Sequence, residues 1–286
     1  MIGGDAMFDR HIRALGERNG YDTLFSNSVV DLLKQADVAV VNLEGPITSN
    51  DSKTLVDGRT TNSFMFTFPV ITAQTLKDAG IDIVSLANNH TDNFGFSGYQ
   101  ETQGYLSEFG LDWFGNPWNG TTTRLTLRSM IGEQPTDSPV ATIIRKNGLT
   151  VAFVGYHAFQ LGVDRVVSEI RRVSGPDVFT IVMPHWGEEY TYEPSQKMQD
   201  YARAFINAGA DAVIGAHPHI IMRHEWVGPV PVYYSLGNLL FDQYFSPEVM
   251  VGNIVELHLI KDGGTIRLNE MRTHEVKLKK DQGVTL

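Results

Sequence analysis

The chain of 286 residues contains no cysteine, which removes disulfides, thiolate metal sites and cysteine nucleophiles and leaves His, Asp, Glu and Asn as metal ligands. Such donors point to Zn, Mn or Fe. Basic residues are in deficit, 23 Lys and Arg against 33 Asp and Glu, for a formal net charge of −10. No basic surface of the kind a phosphate-rich duplex requires is available, so nucleic acid is excluded as the main partner. The one basic cluster, Lys277-Leu278-Lys279-Lys280, reads as a solvated face rather than a binding patch. No apolar run approaches the roughly 20 residues of a membrane span, and no signal-peptide pattern precedes Asp5. Met1-Ile2-Gly3-Gly4 is too short for the full strand that should deliver Asp5 to a sheet edge. The chain therefore reads as the truncated product of a longer gene, with any anchor or signal lying outside it.

Hydrophobic residues make up 42% of the chain, enough to bury one large core or two modest ones, and one domain over residues 1–286 is expected. Strand-like and helix-like runs alternate, the pattern of an α/β sheet built from βαβ units. Helices are predicted over residues 29–36, 70–79, 163–173 and 195–208, and strands over 38–41, 81–86, 150–155, 179–183 and 211–215. Residues 124–144 read as a loop followed by the strand 140–145, which Asn147-Gly148 joins to 151–155 as a hairpin. A second hairpin links 254–260 to 265–271 through Asp262-Gly263-Gly264. Residues 250–286 are a β-rich extension of the sheet, and their strands suggest a second sheet packed on the first. Residues 50–68 connect a strand to a helix at the active edge, and the alternating Phe64, Phe66 and Phe68 predict a short strand tucked into the core.

The most informative segment is Gly215-Ala216-His217-Pro218-His219, directly after the apolar run 210–214. Such a run reads as a buried parallel strand, and open α/β sheets place their ligands at the carboxyl ends of those strands. Pro218 fixes φ between the histidines and removes one backbone donor. Two imidazoles held in this way suit a metal, although His-x-His also occurs in turns where the rings cap backbone groups. Other donors share the placement. Asp5 follows a glycine pair, Glu44 follows 38–41, Asn89-His90 follows 81–86, and His185 follows 178–183.

Together Asp5, Glu44, Asn89, His185, His217 and His219 form an oxygen and nitrogen set large enough for two divalent ions. Two metals roughly 3.5–4 Å apart serve displacement at phosphorus or acyl carbon, because a bridging hydroxide attacks while both ions absorb developing charge. His90, beside a ligand asparagine, is placed to protonate a leaving group. Asp92 either orients His90 or caps the turn through Asn93 and Gly95.

These residues fall in Gly4-Asp5-Ala6-Met7, Asn42-Leu43-Glu44-Gly45, Ala87-Asn88-Asn89-His90-Thr91-Asp92, His185-Trp186-Gly187 and Gly215-Ala216-His217-Pro218-His219. Their order resembles that of the CapA-like family of bacterial capsule and poly-γ-glutamate synthesis proteins, which is related to the calcineurin-like metallophosphatases. The likeness includes Tyr234-Ser235-Leu236-Gly237-Asn238-Leu239-Leu240-Phe241-Asp242-Gln243 and so runs from about Asp5 to about Gln243. The resemblance implies a four-layer α/β/β/α sandwich of metallophosphatase type, with the metal site at one edge of two central sheets. It implies Asp5 and His219 as ligands of a first metal, Glu44 as the bridging carboxylate, Asn89, His185 and His217 as ligands of a second, and His90 as the general acid. Two positions depart from the wider metallophosphatase pattern: Met7, where those enzymes carry histidine, and Glu44, where they carry aspartate. A thioether is a poor ligand for hard divalent ions, which leaves the first metal three protein ligands.

Arg10, about one turn beyond Asp5, offers a bidentate fork to a phosphate or carboxylate substrate, or else pairs with Asp9 or Glu17. Trp186 and Tyr190 either stack on a substrate or pack into the core. Asn238 follows the strand 232–234 and either reaches a substrate or shapes a turn. His11, His157, His224, His258 and His274 lack a strand-end context and read as structural. The expectation is a metal-dependent hydrolase of the CapA type, acting on a phosphoester or anionic polymer during capsule or poly-γ-glutamate biosynthesis. It would work at the bacterial cell surface, outside the cytoplasm, with membrane partners of capsule synthesis. The alternative is a noncatalytic accessory protein that binds or exports poly-γ-glutamate, since a fold does not by itself fix a chemistry.

Overall fold

Strands β1 (Ile2–Ala6) and β2 (Val40–Leu43) are buried along their whole length, the mark of strands covered on both faces. This computed structural model describes residues 1–116, 140–160 and 162–286. Between β1 and β2 lie helices α1 (Arg10–Asn19) and α2 (Asn27–Lys34). The chain continues through a small hairpin of β3 (Leu55–Val56) and β4 (Arg59–Thr60), then α3 (Ile71–Asp78), β5 (Ile83–Ser85), α4 (Gly95–Glu108) and β6 (Asp112–Phe114). The second half holds β7 (Ala141–Lys146), β8 (Leu149–His157), α5 (Val163–Val173), β9 (Phe179–His185), α6 (Gln196–Ala208) and β10 (Ala212–Ile214). It ends in six strands, β11 (His224–Val227), β12 (Val230–Tyr233), β13 (Asn238–Leu240), β14 (Val251–Asp262), β15 (Thr265–Lys279) and β16 (Gly283–Thr285).

Two sheets result. The first runs β16-β15-β14-β1-β2-β5-β6, with β13 pairing β1, and the second runs β11-β12-β10-β9-β8-β7. Helices α1 to α4 cover the outer face of the first through residues such as Ile12, Leu33, Leu76 and Leu106. Helices α5 and α6 cover the second through Val166, Ile170, Met198 and Phe205. Ile2, Val40, Ile83, Phe153, Ile181 and Val255 fill the space between the sheets. This is the expected α/β/β/α sandwich, with apolar layers on both faces of each sheet. Local sequence sets the boundaries. Ser195 accepts a hydrogen bond from the Met198 amide at 3.3 Å to start α6, and Gly209 ends it at φ 114°.

Several expectations need correction. The opening residues do form a strand, because β1 is held on both sides, parallel to β2 and antiparallel to β14. The tail strands do not form a separate sheet; β14, β15 and β16 lengthen the first one, while the second comes from β7 to β12. Residues 64–68 are not a strand, although Phe66 and Phe68 are buried while Phe64 is exposed. The Thr67 amide bonds to the Asp9 carboxylate at 3.0 Å and the Phe68 amide to the Pro46 carbonyl at 2.7 Å, which leaves no ladder. The loop expected over residues 124–139 lies outside the described residues.

Candidate metal centre

Close backbone approach places the first carboxylate. A Cβ on Gly4 would lie 1.9 Å from the Gly237 carbonyl oxygen, so only glycine lets β1 sit this close to the chain entering β13. The register then sets Asp5 between Asn42 on β2 and Asn238 on β13. Glu44 follows β2, Asn89 and His90 follow β5, and His185 ends β9. His217 and His219 leave β10 in a turn where both take left-handed backbone, at φ 98° and 58°. Non-glycine residues held there mark a conformation the surroundings enforce.

All six expected ligands converge. Asp5 Oδ2 accepts the His217 amide at 3.1 Å and faces His219 Nδ1 at 3.3 Å. Asn89 Oδ1 stands 2.7 Å from His185 Nε2, which is 3.1 Å from His217 Nδ1. Glu44 Oε1 lies 3.6 Å from His219 Nε2, 3.9 Å from His185 Nε2 and 4.0 Å from His90 Nε2. That oxygen is buried and has no hydrogen-bond partner among the described residues, a costly arrangement unless a cation completes it. Metal bonds to nitrogen and oxygen of roughly 2.0–2.2 Å leave two ligands of one ion a little over 3 Å apart, so these separations fit. Donor atoms of Asp5, Glu44 and His219 form one group within 4.8 Å of one another, and those of Glu44, His185 and His217 form another. Glu44 is common to both.

The cluster is electrostatically tense. Burial, reinforced by the charges of Asp5 and Glu189 against the pull of His219, pushes the Glu44 carboxyl well above the usual carboxylate range. Burial also works to raise Asp5, but hydrogen bonding to His219 and Asn42 outweighs it and holds Asp5 low. Burial lowers His219, yet Glu44 and Asp5 overcome it and carry His219 up to about 9. Burial, with neighbouring imidazoles adding to it, brings His217 down to about 3 and His90 to about 4, and puts His185 well below its ordinary value. Neutral imidazoles are the form that ligates a metal.

The other expected site residues fare unevenly. Asn238 is fully buried; its Oδ1 lies 3.0 Å from His219 Nδ1, while its Nδ2 donates to Gln243 Oε1 and the Val249 carbonyl. It supports His219 instead of meeting a substrate. Asp92 does not orient His90, because its carboxylate accepts from Gln160 at 3.3 Å and Asn93 Nδ2 approaches His90 Nδ1 at 3.2 Å. Arg10 pairs with Asp242, not with Asp9 or Glu17, and its guanidinium lies over Phe66 and Phe241 at 5.1 and 5.6 Å. Phe66 in turn packs against His90 at 4.4 Å, so Arg10 borders the site with its charge already engaged. Trp186 packs in the core, whereas Tyr190 is partly exposed with its ring 6.2 Å from His219. Met7 Sδ accepts the Asp9 amide at 2.9 Å.

Sequence reasoning missed several participants. Asn42 Nδ2 donates to Asp5 Oδ1 at 2.7 Å and lies 3.3 Å from His185 Nδ1; Asn88 Nδ2 donates to Asn42 Oδ1 at 3.0 Å. Asn42 stands two residues before Glu44, on the same strand face, and that spacing was the available signal. His157 was read as structural for want of a strand-end context, yet it ends β8 beside His185. Its ring is buried and neither nitrogen has a hydrogen-bond partner among the described residues. Phe159, half exposed, lies 4.8 Å from His217.

The sequence matches the family described as bacterial capsule synthesis protein PGA_cap over residues 1–243. The chain belongs to that family. Capsule biosynthesis protein CapA of Bacillus anthracis is 29% identical over 278 residues, covering 93% of this chain and 64% of that protein. PGA biosynthesis protein CapA of Bacillus subtilis (strain 168) is 27% identical over 297 residues, covering 97% of this chain and 73% of that protein. The chain thus spans under two thirds of the length of the first of these relatives. Among solved structures, a hypothetical protein from Thermus thermophilus has the same fold, with a TM-score of 0.54 at 15% identity over 96% of this chain and 98% of that one. Calcineurin-like phosphoesterase YfkN from Bacillus subtilis has a TM-score of 0.42 at 15% identity over 89% of this chain and 81% of that one. The PGA_cap match closes at Gln243, whose amide ties Asn238 to the Tyr190 hydroxyl.

Proposed function

We propose that this chain is a metal-dependent hydrolase of capsule or poly-γ-glutamate biosynthesis, acting on a phosphoester or anionic polymer at the bacterial cell surface. The observation that carries this reading is Glu44, a buried carboxylate shared by two ligand groups, with one oxygen unpartnered among histidines. Asp5 and His219 would hold one divalent ion, Asn89, His185 and His217 the other, and Glu44 both. Mn, Fe or Zn suits these donors. Once bound, such a pair activates water and offsets negative charge on the reacting group.

The chain's own residues supply the rest. His90 is the proton donor of this reading. Burial holds it near 4, so an anionic substrate must bring the charge that favours its protonated form. Asn93 and Phe66 fix its ring. Among the described residues no helix is long and apolar enough to cross a membrane; contacts with membrane components of capsule synthesis belong to this reading as surface contacts.

Metal analysis of the purified protein tests it, combined with a panel of phosphomonoesters, phosphodiesters and γ-glutamyl oligomers. About two ions per chain are expected, with turnover that His90→Asn abolishes while both ions remain. Metal well below one equivalent after incubation with Mn, Fe and Zn overturns the reading. The Met7 sulfur, occupied by the Asp9 amide, favours a second one: a noncatalytic accessory protein that binds or exports poly-γ-glutamate. That reading predicts polymer binding without turnover of any panel member.

A further inference from the structure

The two ligand groups are unequal. Glu44, His185 and His217 have Asn89 beside them as a fourth donor, whereas Asp5, Glu44 and His219 are three. Met7, where a fourth donor would stand on β1's side, is turned into the protein and bonded to Asp9. A third group fills the gap from another direction. A Glu189 carboxylate oxygen lies within 4.8 Å of donor nitrogens of both His217 and His219.

The loop that carries Glu189 is fixed against the histidine turn. The Tyr190 amide donates to the Pro218 carbonyl at 2.9 Å, midway between His217 and His219. Tyr190 takes φ 61° and Gly187 φ 90°, so the chain after β9 folds back over the site. The Tyr190 hydroxyl accepts from Gln243 Nε2 at 3.0 Å, which anchors the far end of that side chain. Glu189 itself is exposed, while His217 and His219 are buried. Its charge also reaches His219 and Glu44. A solvent-facing carboxylate held beside buried imidazoles is placed to bind an ion at either of them from the open side, and the ion of Asp5 and His219 is the one with three donors against four.

We infer that Glu189 is a metal-binding carboxylate that completes the ligand set of the ion held by Asp5 and His219, supplying the donor that Met7 does not. This rests on the two-ion reading proposed above. A carboxylate reaching from a solvent-facing loop replaces a histidine from a core strand, so the ion gains a harder donor set, one suited to Mn²⁺.

Equilibrium dialysis of metal-free protein against Mn²⁺, with free ion counted by electron paramagnetic resonance, separates the possibilities. Wild type is expected to bind two ions. Glu189→Gln is expected to keep one at wild-type affinity and to weaken the other by tenfold or more, with an unchanged melting temperature of the metal-free form. Glu188→Gln removes the same charge one residue away, on the same exposed loop, and is expected to bind both ions as wild type does. Wild-type binding of both ions by Glu189→Gln overturns the assignment and leaves the two-ion reading standing. Equal weakening by Glu188→Gln and Glu189→Gln also overturns it, since a general field effect then explains the loss. Failure of wild type to bind a second ion sinks the two-ion reading itself.

Discussion

At the residue scale the site is built from groups that are poor choices for stability alone. Among the described residues Glu44 has a buried oxygen without a hydrogen-bond partner, and His157 has two buried nitrogens without one. His157 gives a direct test, because burial lowers it to about 4, below the roughly 6.5 of an unfolded chain. Between those values the unfolded chain binds the extra proton. Stability from the neutral ring is therefore full above about pH 6.5 and is lost as pH falls towards 4, by on the order of 2 kcal/mol at pH 5. His157→Phe is expected to reduce the drop in melting temperature between pH 7.5 and pH 5, measured in chelator on wild type and variant; equal drops refute the assignment. The convergence of the six residues was legible because five follow apolar runs read as strands and Asp5 follows a glycine pair, so that all lie at the carboxyl ends of strands. Asn88 and Glu189 were not, and Asn42 only through its two-residue spacing from Glu44, since their value depends on register and on a loop folding back, neither of which composition encodes. Arg10 was misjudged for a similar reason, as its partner Asp242 lies far along the sequence.

At the element scale, periodicity served best where packing is regular. Helix α5 occupies the predicted residues without change, with Val166, Ile170 and Val173 on its buried face. Segment 64–68 shows where it fails: Phe64 and Met65 are exposed while Phe66, Thr67 and Phe68 are all buried, and the backbone donors of Thr67 and Phe68 go to Asp9 and Pro46 rather than to a strand ladder. The tail was read correctly as a hairpin and as an extension of the sheet, and wrongly where its strands suggested a second layer, because which strand a hairpin joins is set by topology. The β1–β13 contact carries a prediction of its own. In Gly4→Ala the new Cβ meets a backbone oxygen 1.9 Å away, and backbone cannot yield as a flexible side chain does. A loss of about 1–3 kcal/mol in urea unfolding is expected, with weaker metal binding because Asp5 and Asn238 shift together. Gly104→Ala, with nothing near its added Cβ and a helical position, is the matched control and should not lose stability. Wild-type stability and metal affinity in Gly4→Ala would contradict the close-approach argument.

At the scale of the whole molecule, the ligands divide between the two sheets. Asp5, Glu44 and Asn89 come from the sheet that holds β1, β2 and β5, and His185, His217 and His219 from the sheet that holds β9 and β10. Without metal, the sheets meet here through polar contacts that include Asp5 to the His217 amide and to His219, and Asn89 to His185, beside a Glu44 oxygen that has no hydrogen-bond partner among the described residues. An ion bound by donors of both sheets favours only the arrangement in which they face each other, so binding adds to folding stability by mass action. At free metal a hundredfold above Kd this is about 2.7 kcal/mol for one site, which for a chain of this size corresponds to roughly 4–5 °C in melting temperature. Chelation should remove that increment, and hydrogen exchange should then quicken at the carboxyl ends of β1 and β10 together. If metal protects only one sheet's residues, the ions are not shared across the sandwich. Equal melting with and without metal would mean that the two halves are held by their apolar interface alone, and that the histidines and carboxylates meet without joining them.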